Sequence, residues 1–237
     1  MALPKLTTPT YELEIPSTDE KIKYRPFLVK EEKILMMAME SKASADITQA
    51  VKDIVMECTF NKVKIDDMPM FDVEYIFLQI RSKSVGEVSK LKLLCPDDGV
   101  TYADIELDLN EVKVQVGDDH TNKIALDNGM GMIMKYPTID SFKDSGIQDI
   151  NATNMLEVIS GCIQQIYEEE GKKTYDPKDQ TQKELTDFIE QLTTKQFQNV
   201  QSFFDTMPKL KHTVELENPK TGVKSKIVLQ GLNDFFA

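Results

Sequence analysis

The chain has 237 residues, of which 41% are hydrophobic, enough for the core of one large domain or two small ones. Its 40 acidic residues outnumber its 28 basic residues, and the formal net charge is -12. This charge repels nucleic-acid phosphates and anionic lipid, which argues against nucleic acid and membrane surfaces as partners. No segment approaches the roughly 18 apolar residues of a membrane helix, so we expect a soluble protein made in the cytoplasm.

The N-terminal third is predicted to contain a strand pair followed by helices. Residues 11–15 alternate apolar and acidic side chains, a period of two that indicates a strand, and residues 21–25 can pair with it. Helical spacing of apolar residues then predicts three helices, one from Lys30, one capped by Ser44 and one following Asp72. Their expected inward residues are Ile34, Leu35, Ala38 and Met39, then Ile47, Val51, Ile54, Val55 and Cys58, then Val73, Ile76, Phe77 and Ile80.

The middle of the chain returns to a period of two. Alternating apolar residues on either side of residues 95–99 predict a β-hairpin, and further strands are expected over residues 113–116 and 130–134. A helical piece is expected from Thr138.

The last third is predicted to be helical until a final hairpin over residues 212–229. Residues 154–170 carry apolar side chains on one helical face, and the T-x-x-E pattern at residues 181–184 is a capping box for another helix. Residues 171–180 are polar and are expected to form a loop.

The fold class is therefore α+β, with helical packing, short antiparallel strands and two similar β-hairpins. We expect one compact unit with four consecutive regions. They are N-terminal strands with a helical unit (1–87), a central hairpin region (88–136), a helical region (137–210) and a C-terminal hairpin with the chain end (211–237).

The turn C-P-D-D-G at residues 95–99 recurs as N-P-K-T-G at residues 218–222. The first turn resembles half of a zinc knuckle, but a ribbon-type zinc site needs four thiolate or imidazole ligands. One turn has a single cysteine, the other has none, and neither His120 nor His212 lies at ligand spacing from Cys95. We therefore predict two hydrogen-bonded hairpin turns, with no metal and no other cofactor.

The three cysteines and the Asp97-Asp98 pair do not indicate a disulfide framework or a strong metal site. Three cysteines without a close pair fit a reducing compartment rather than a disulfide framework. The carboxylates of Asp97 and Asp98 are hard ligands suited at most to weak calcium binding, and we expect them to be solvated.

Catalytic motifs are missing from the sequence. We find no nucleophile elbow, phosphate loop, dinucleotide-binding fingerprint or zinc-protease motif, and Gly129 and Gly131 form only a lone G-x-G. Acidic pairs at residues 66–67 and 118–119 could support acid-base chemistry, but such pairs arise readily by chance in an acidic chain. We predict that the protein is not an enzyme.

Four stretches resemble one known family: KYRPFLVKEEKILMMAME (23–40), LQIRSKSVGE (78–87), MKYPT (134–138) and GLNDFF (231–236). From about Lys5 to the C-terminus, the chain resembles the baseplate hub family of T-even-like contractile-tailed bacteriophages, described as hub subunits or assembly chaperones. The resemblance implies a non-enzymatic protein that binds phage baseplate hub proteins during tail assembly. It implies a location in the host cytoplasm during assembly, or in the virion tail baseplate, and carries over no catalytic residue.

The resemblance raises the question of which residues hold a partner. Basic residues flank the P-F-L stretch at residues 26–28 and recur at residues 81–83, and two aromatics stand at the chain end. The predicted partner-binding residues are Arg25, Phe27, Lys30, Arg81, Lys83, Phe235 and Phe236. A purely structural role competes, since cations stabilise helix ends and the phenylalanines can fill the core. The terminal aromatics are then either a core plug or a docking peptide.

Two alternatives stay open beside the hub function. The paired hairpins suggest a degenerate zinc-ribbon-type adaptor that binds nucleic acid or protein, and paired carboxylates suggest a hydrolase. Within the hub interpretation, the protein is either a chaperone that leaves the assembly or a subunit that stays.

Overall fold

A computed structural model describes residues 6–41, 43–127, 129–142, 155–168 and 173–236. Helices and short antiparallel strands are mixed along the chain, which confirms the α+β class. The helices are α1 (Val29–Ser41), α2 (Ser44–Cys58), α3 (Met70–Val85), α4 (Met155–Gly161), α5 (Gln182–Glu190), α6 (Thr194–Thr206) and α7 (Gly231–Phe236). The strands are β1 (Tyr11–Glu14), β2 (Lys21–Tyr24), β3 (Val88–Leu94), β4 (Tyr102–Asp108), β5 (Lys113–Gln115), β6 (Lys123–Ala125), β7 (Met130–Met134), β8 (Ile163–Glu168), β9 (Lys173–Tyr175), β10 (Lys209–Glu217) and β11 (Lys224–Gln230).

The N-terminal strand pair and the apolar stripes of α2 and α3 are confirmed. β1 pairs antiparallel with β2, with Leu13 opposite Ile22, and both side chains join one apolar cluster with α2 and α3. The buried stripes are Val51, Ile54, Val55 and Cys58 on α2, and Val73, Ile76, Phe77 and Ile80 on α3. Apolar residues spaced three or four apart give each helix one continuous face toward this core.

Two predictions about α1 and α2 are wrong. Ile34 and Met39, expected to face inward, are 43% and 54% exposed. Leu35 and Ala38 face inward as predicted, and Glu31 joins them because its carboxylate forms a buried ion pair. α2 begins at Ser44, but Ala43 occupies its N-cap position and no side chain caps the helix.

Both predicted hairpins are confirmed. β3 pairs with β4, and β10 pairs with β11, on either side of the two related turns. The strand predicted over residues 113–116 is β5, which joins β10 as the third strand of the C-terminal sheet. The strand predicted over residues 130–134 is β7, in a second sheet with the order β6-β7-β8-β9.

The single helix predicted over residues 154–170 is wrong. The described part of this range contains α4 and then β8, which pairs antiparallel with β7. Residues 163–168 read I-Q-Q-I-Y-E, and their β-branched and aromatic side chains suit a strand once β7 offers a partner. The predicted loop over residues 171–180 likewise contains the edge strand β9.

α3 and α7 connect the core clusters of the fold. The first cluster lies between the N-terminal hairpin, α2 and α3, and another lies between α3, α7 and the two long hairpins. Tyr75 and Leu232 contact both clusters. The sheet of β6 to β9 has its own cluster with α4, α5 and α6. In the described ranges, no helix is long and apolar enough to cross a membrane.

Candidate partner-binding site

Arg25 is engaged inside the chain. Its Nη2 donates to Oε1 of Glu31 at 2.8 Å, its Nη1 donates to the carbonyl of Pro26 at 3.0 Å, and only 8% of the residue is exposed. The second carboxylate oxygen of Glu31 accepts the backbone N–H of Leu28 at 2.7 Å. Burial by itself would raise the pKa of Glu31, but the hydrogen bonds from Arg25, Leu28 and Lys30 hold that pKa below its ordinary value. Arg25 therefore fixes the start of α1.

Lys30 extends this cluster toward solvent. Its Nζ lies 3.1 Å from Glu31 and 3.3 Å from Glu57 of α2, and 60% of its side chain is exposed. Lys30 is thus the accessible cation of the N-terminal basic site, and it also ties α1 to α2.

Phe27 and Lys83 lie where the N-terminal segment meets α3. The Phe27 side chain joins the first apolar cluster, and its backbone N–H donates to Oγ of Ser84 at 2.9 Å. Lys83 forms an ion pair with Glu87, and its Nζ lies 5.8 Å from the centre of the Tyr11 ring. Both residues have contacts that hold the fold, and their role toward a partner stays a prediction.

The C-terminal helix α7 packs Phe235 into the core. Phe235 has no exposed surface, and its carbonyl accepts a hydrogen bond from Oγ of Ser89 at 3.2 Å. The backbone N–H of Leu232 donates to the carboxyl group of Glu74 on α3. For Phe235 the geometry is that of a core plug, whereas the side chain of Phe236 lies outside the described part of the structure.

Arg81 differs from the other predicted partner-binding residues described above, because it lines a cavity of about 1030 Å³. The cavity lies between α1, α2, α3 and α4 on one side and the end of α6, the start of β10 and α7 on the other. Its mostly apolar lining includes Leu35, Met39, Ile47, Val51, Phe71, Phe77, Val158, Ile159, Phe204, Met207 and Leu232. We call this space the central cavity.

Glu74 is the buried carboxyl group of the central cavity. Burial raises its pKa to about 7, against the smaller opposing effect of the hydrogen bond from Leu232. The sequence analysis missed Glu74, although an acid between Val73 and Phe77 on an apolar helix face is the available signal. It also missed the exposure of Met36 and Met39, which are 57% and 54% exposed.

The two related hairpin turns lie side by side. One oxygen of Asp97 accepts a hydrogen bond from Oγ1 of Thr221 at 2.6 Å, and both oxygens lie 3.0 Å from Nδ2 of Asn218. Gly99 and Gly222 take positive φ angles of 65° and 71°, a conformation that glycine adopts without strain. Asp97 therefore links the hairpins, and the expectation that it is merely solvated is wrong.

Asp98 is also engaged, since it accepts hydrogen bonds from the backbone N–H groups of Val100 and Thr101 and from Oγ1 of Thr101. These bonds hold the pKa of Asp98 well below its ordinary value. The positions of four zinc-knuckle ligands are thus occupied by one thiol, one carboxylate, one amide and one hydroxyl, at residues 95, 98, 218 and 221. This donor set does not fit tetrahedral zinc, which prefers sulfur and imidazole nitrogen.

His120 has both ring nitrogens occupied. Nδ1 lies 2.9 Å from Oγ1 of Thr206 and Nε2 lies 3.0 Å from the hydroxyl of Tyr136, while the ring stacks on Tyr136 and contacts Phe203. Burial lowers the pKa of His120. The arrangement joins α6 to the loop after β7, and the Thr206 hydroxyl also donates to the carbonyl of Ser202 at 2.7 Å.

The structure is that of an α+β protein with exposed methionines on α1 and, in the described ranges, no cluster of histidine, cysteine and acidic residues that could hold a metal ion. The chain belongs to the family described as T4 bacteriophage base plate protein, whose model matches residues 8–237. Neither a curated protein nor a solved structure matches the chain.

Membership in this family confirms the resemblance at the level of a T4-like phage baseplate protein. It implies interaction with other baseplate proteins and a place at the virion tail baseplate, and it favours a non-enzymatic role.

Proposed function

We propose that this baseplate protein is a non-enzymatic protein-binding factor in assembly of the tail baseplate hub. The observation that carries the proposal is the exposure of Met36 and Met39 on α1, beside the central cavity. Contiguous exposed apolar surface is typical of protein interaction sites. Two mechanistic forms are compatible with it, a chaperone that leaves the assembly and a subunit that stays.

The proposed mechanism is coverage of an apolar or basic surface on a hub protein until the next component binds. The net charge of -12 favours encounter with basic surfaces, since complementary charge accelerates association and disfavours wrong partners. The exposed Lys30 lies on α1, and the half-buried Arg81 lines the central cavity. Arg25, Phe27 and Phe235 support the surface indirectly, because they hold α1 and α7 in place.

Co-expression with individual baseplate proteins of the same phage tests this function. The tagged chain is recovered, and the bound protein is followed into assembled baseplates by mass spectrometry. We expect at least one hub protein to co-purify. Loss of the chain from finished baseplates indicates a chaperone, whereas retention at fixed stoichiometry indicates a subunit. Failure to bind any hub protein would refute the proposed function.

A salt series tests the electrostatic part separately. We expect recovery of the complex to fall between low and moderate salt, because exposed charges are screened beyond roughly 10 Å at 0.1 M ionic strength. Lys30→Ala and Arg81→Ala report on the two predicted basic sites, and Lys220→Ala, on the exposed turn of the C-terminal hairpin, is the matched control. Recovery that does not change with salt would contradict electrostatic steering.

A further inference from the structure

The apolar surface around α1 continues beyond the central cavity. Leu35 and Met39, one helical turn apart, line the cavity, and Met36 precedes Met39 by three positions on the adjoining surface. Residues three and four apart are neighbours on a helix, so these three side chains form one continuous face. We call the surface of Leu35, Met36 and Met39 the methionine face, and we call this face together with the central cavity the α1 groove.

The size of the groove favours an extended occupant over a compact one. The cavity of about 1030 Å³ is at the upper end of the range for small-molecule pockets, and the methionine face adds surface outside it. Methionine side chains are flexible and polarizable, and they adapt to the side chains of a docked helix. Helix-binding grooves accept apolar residues at positions i, i+3, i+4 and i+7 of their partner.

Carboxylates flank the methionine face at both ends. Glu32 lies four residues before Met36 and Glu40 lies four residues after it, so both carboxylates follow the same side of α1. Both residues are exposed, and in the part of the chain that the structure describes no salt bridge involves either one. Their spacing of eight residues corresponds to about 12 Å along the helix.

The buried carboxyl group of Glu74, in the central cavity, already has a hydrogen-bond partner within the chain. The carboxyl group of Glu74 accepts the backbone N–H of Leu232, and Oε1 lies close to the backbone of Gly231. The walls nearest to α1 are apolar side chains from α1, α2 and α4. A large apolar side chain of a partner therefore fits this space better than a charged one.

From this geometry we infer that the α1 groove binds a basic amphipathic helix of another protein. The helix places apolar residues against the methionine face and into the central cavity. Its lysines or arginines, about two turns apart, pair with Glu32 and Glu40. A second copy of this chain fits poorly, since each copy carries a net charge of -12 and would bring its own Glu32 and Glu40 to the contact. The inference deepens the proposed function and rests on it for the identity of the partner as a baseplate protein.

A designed probe tests the groove without the natural partner. The probe is a fluorescein-labelled peptide of about 16 residues, long enough for partial helix formation, with leucines at i, i+3, i+4 and i+7 and two lysines eight positions apart. One comparison peptide has glutamates in place of the lysines, and another has the same composition in scrambled order. We expect the basic helix to bind at least about tenfold more tightly than either comparison peptide by fluorescence anisotropy.

Variants of α1 locate the binding surface. We expect the double variant Met36→Glu with Met39→Glu to weaken probe binding by about tenfold or more, since it places charge in the apolar contact. Met37→Glu is the matched control: Met37 is 60% exposed on the same helix but faces away from the cavity. Circular dichroism and urea unfolding confirm that each variant is folded. Glu32→Lys with Glu40→Lys should reverse the preference between the basic and acidic peptides, and Glu190→Lys on α5 should not.

Several outcomes would overturn the inference. Equal binding of all three peptides, absence of binding, or equal effects of the Met36/Met39 and Met37 substitutions would each exclude the α1 groove as a basic-helix site. Sedimentation showing a dimer that the Met36/Met39 variant dissociates would assign the groove to a second copy instead. If hub proteins co-purify normally with that variant, the groove fails while the proposed function stands. If the peptide binds but no hub protein co-purifies, the groove stands and the proposed function fails.

Discussion

Removal of the Phe235 ring distinguishes a core plug from a docking peptide. Phe235 has no exposed surface and lies in the cluster with Leu78, Leu91, Leu210 and Leu229. The substitution Phe235→Ala deletes a whole aromatic side chain from this packed region. Substitutions of this type cost about 3–5 kcal/mol, a large part of the roughly 5–15 kcal/mol that stabilises a typical folded protein.

The assay is urea unfolding at equilibrium, followed by far-UV circular dichroism. We expect Phe235→Ala to lower the midpoint strongly with little change in the slope m. Phe60→Ala is the control, since Phe60 is 44% exposed and its truncation should change the free energy of unfolding by about 0.5 kcal/mol or less. A loss below about 1 kcal/mol for Phe235→Ala would refute the core-plug interpretation and return the residue to the docking alternative.

Three further predictions concern buried or bridging polar groups. Arg25→Met leaves Glu31 buried without its main cation, so we expect the free energy of unfolding to fall by about 3–5 kcal/mol. Urea titration measures this loss, and an unchanged midpoint would show that the ion pair does not stabilise the fold. Asp97→Ala removes the hydrogen bonds to Asn218 and Thr221, and it should lower the thermal midpoint of unfolding. The control Asp104→Ala, on an exposed strand position, should not lower it. Equal midpoints for the two variants would mean that the turns associate without Asp97. Burial raises the pKa of Glu74 to about 7 from 4.5, so the folded state binds more protons than the unfolded state between these values and stability falls as pH rises through that window. Urea midpoints measured from pH 4.5 to pH 8 should therefore decline less for Glu74→Gln than for the unsubstituted chain, and parallel curves would contradict the raised pKa.

Local patterns predicted the elements whose stabilising contacts lie within a few residues. The stripe from Val51 to Cys58 on α2 is buried as its spacing indicates, and Thr181 forms the capping box with Glu184 that the T-x-x-E pattern predicts. The two P-x-x-G turns form at the predicted positions, because their glycines adopt positive φ angles. Such features depend on helix periodicity and turn chemistry, which are properties of short segments.

Patterns shared by two structures were resolved only by tertiary contacts. The segment around Ile163 and Ile166 has helical spacing, yet it forms β8 because β7 and β9 offer hydrogen-bonding edges on both sides. The orientation of α1 was predicted only in part, since Ala38 is buried and Leu35 packs against the core, whereas Ile34 and Met39 are exposed. A periodicity argument counts apolar residues, and it does not anticipate that Glu31 would turn inward to meet Arg25.

The sequence by itself determined the α+β class, the two related hairpins and the acidic charge, because these follow from composition and local periodicity. The resemblance to phage baseplate proteins was also readable in its motifs, and the family match over residues 8–237 confirms it. Only the tertiary structure decided that Asp97 would join the hairpins, that Phe235 would be buried and that Met36 and Met39 would stay exposed beside a cavity. Each of these outcomes depends on groups far apart in the chain, whose proximity no local pattern encodes.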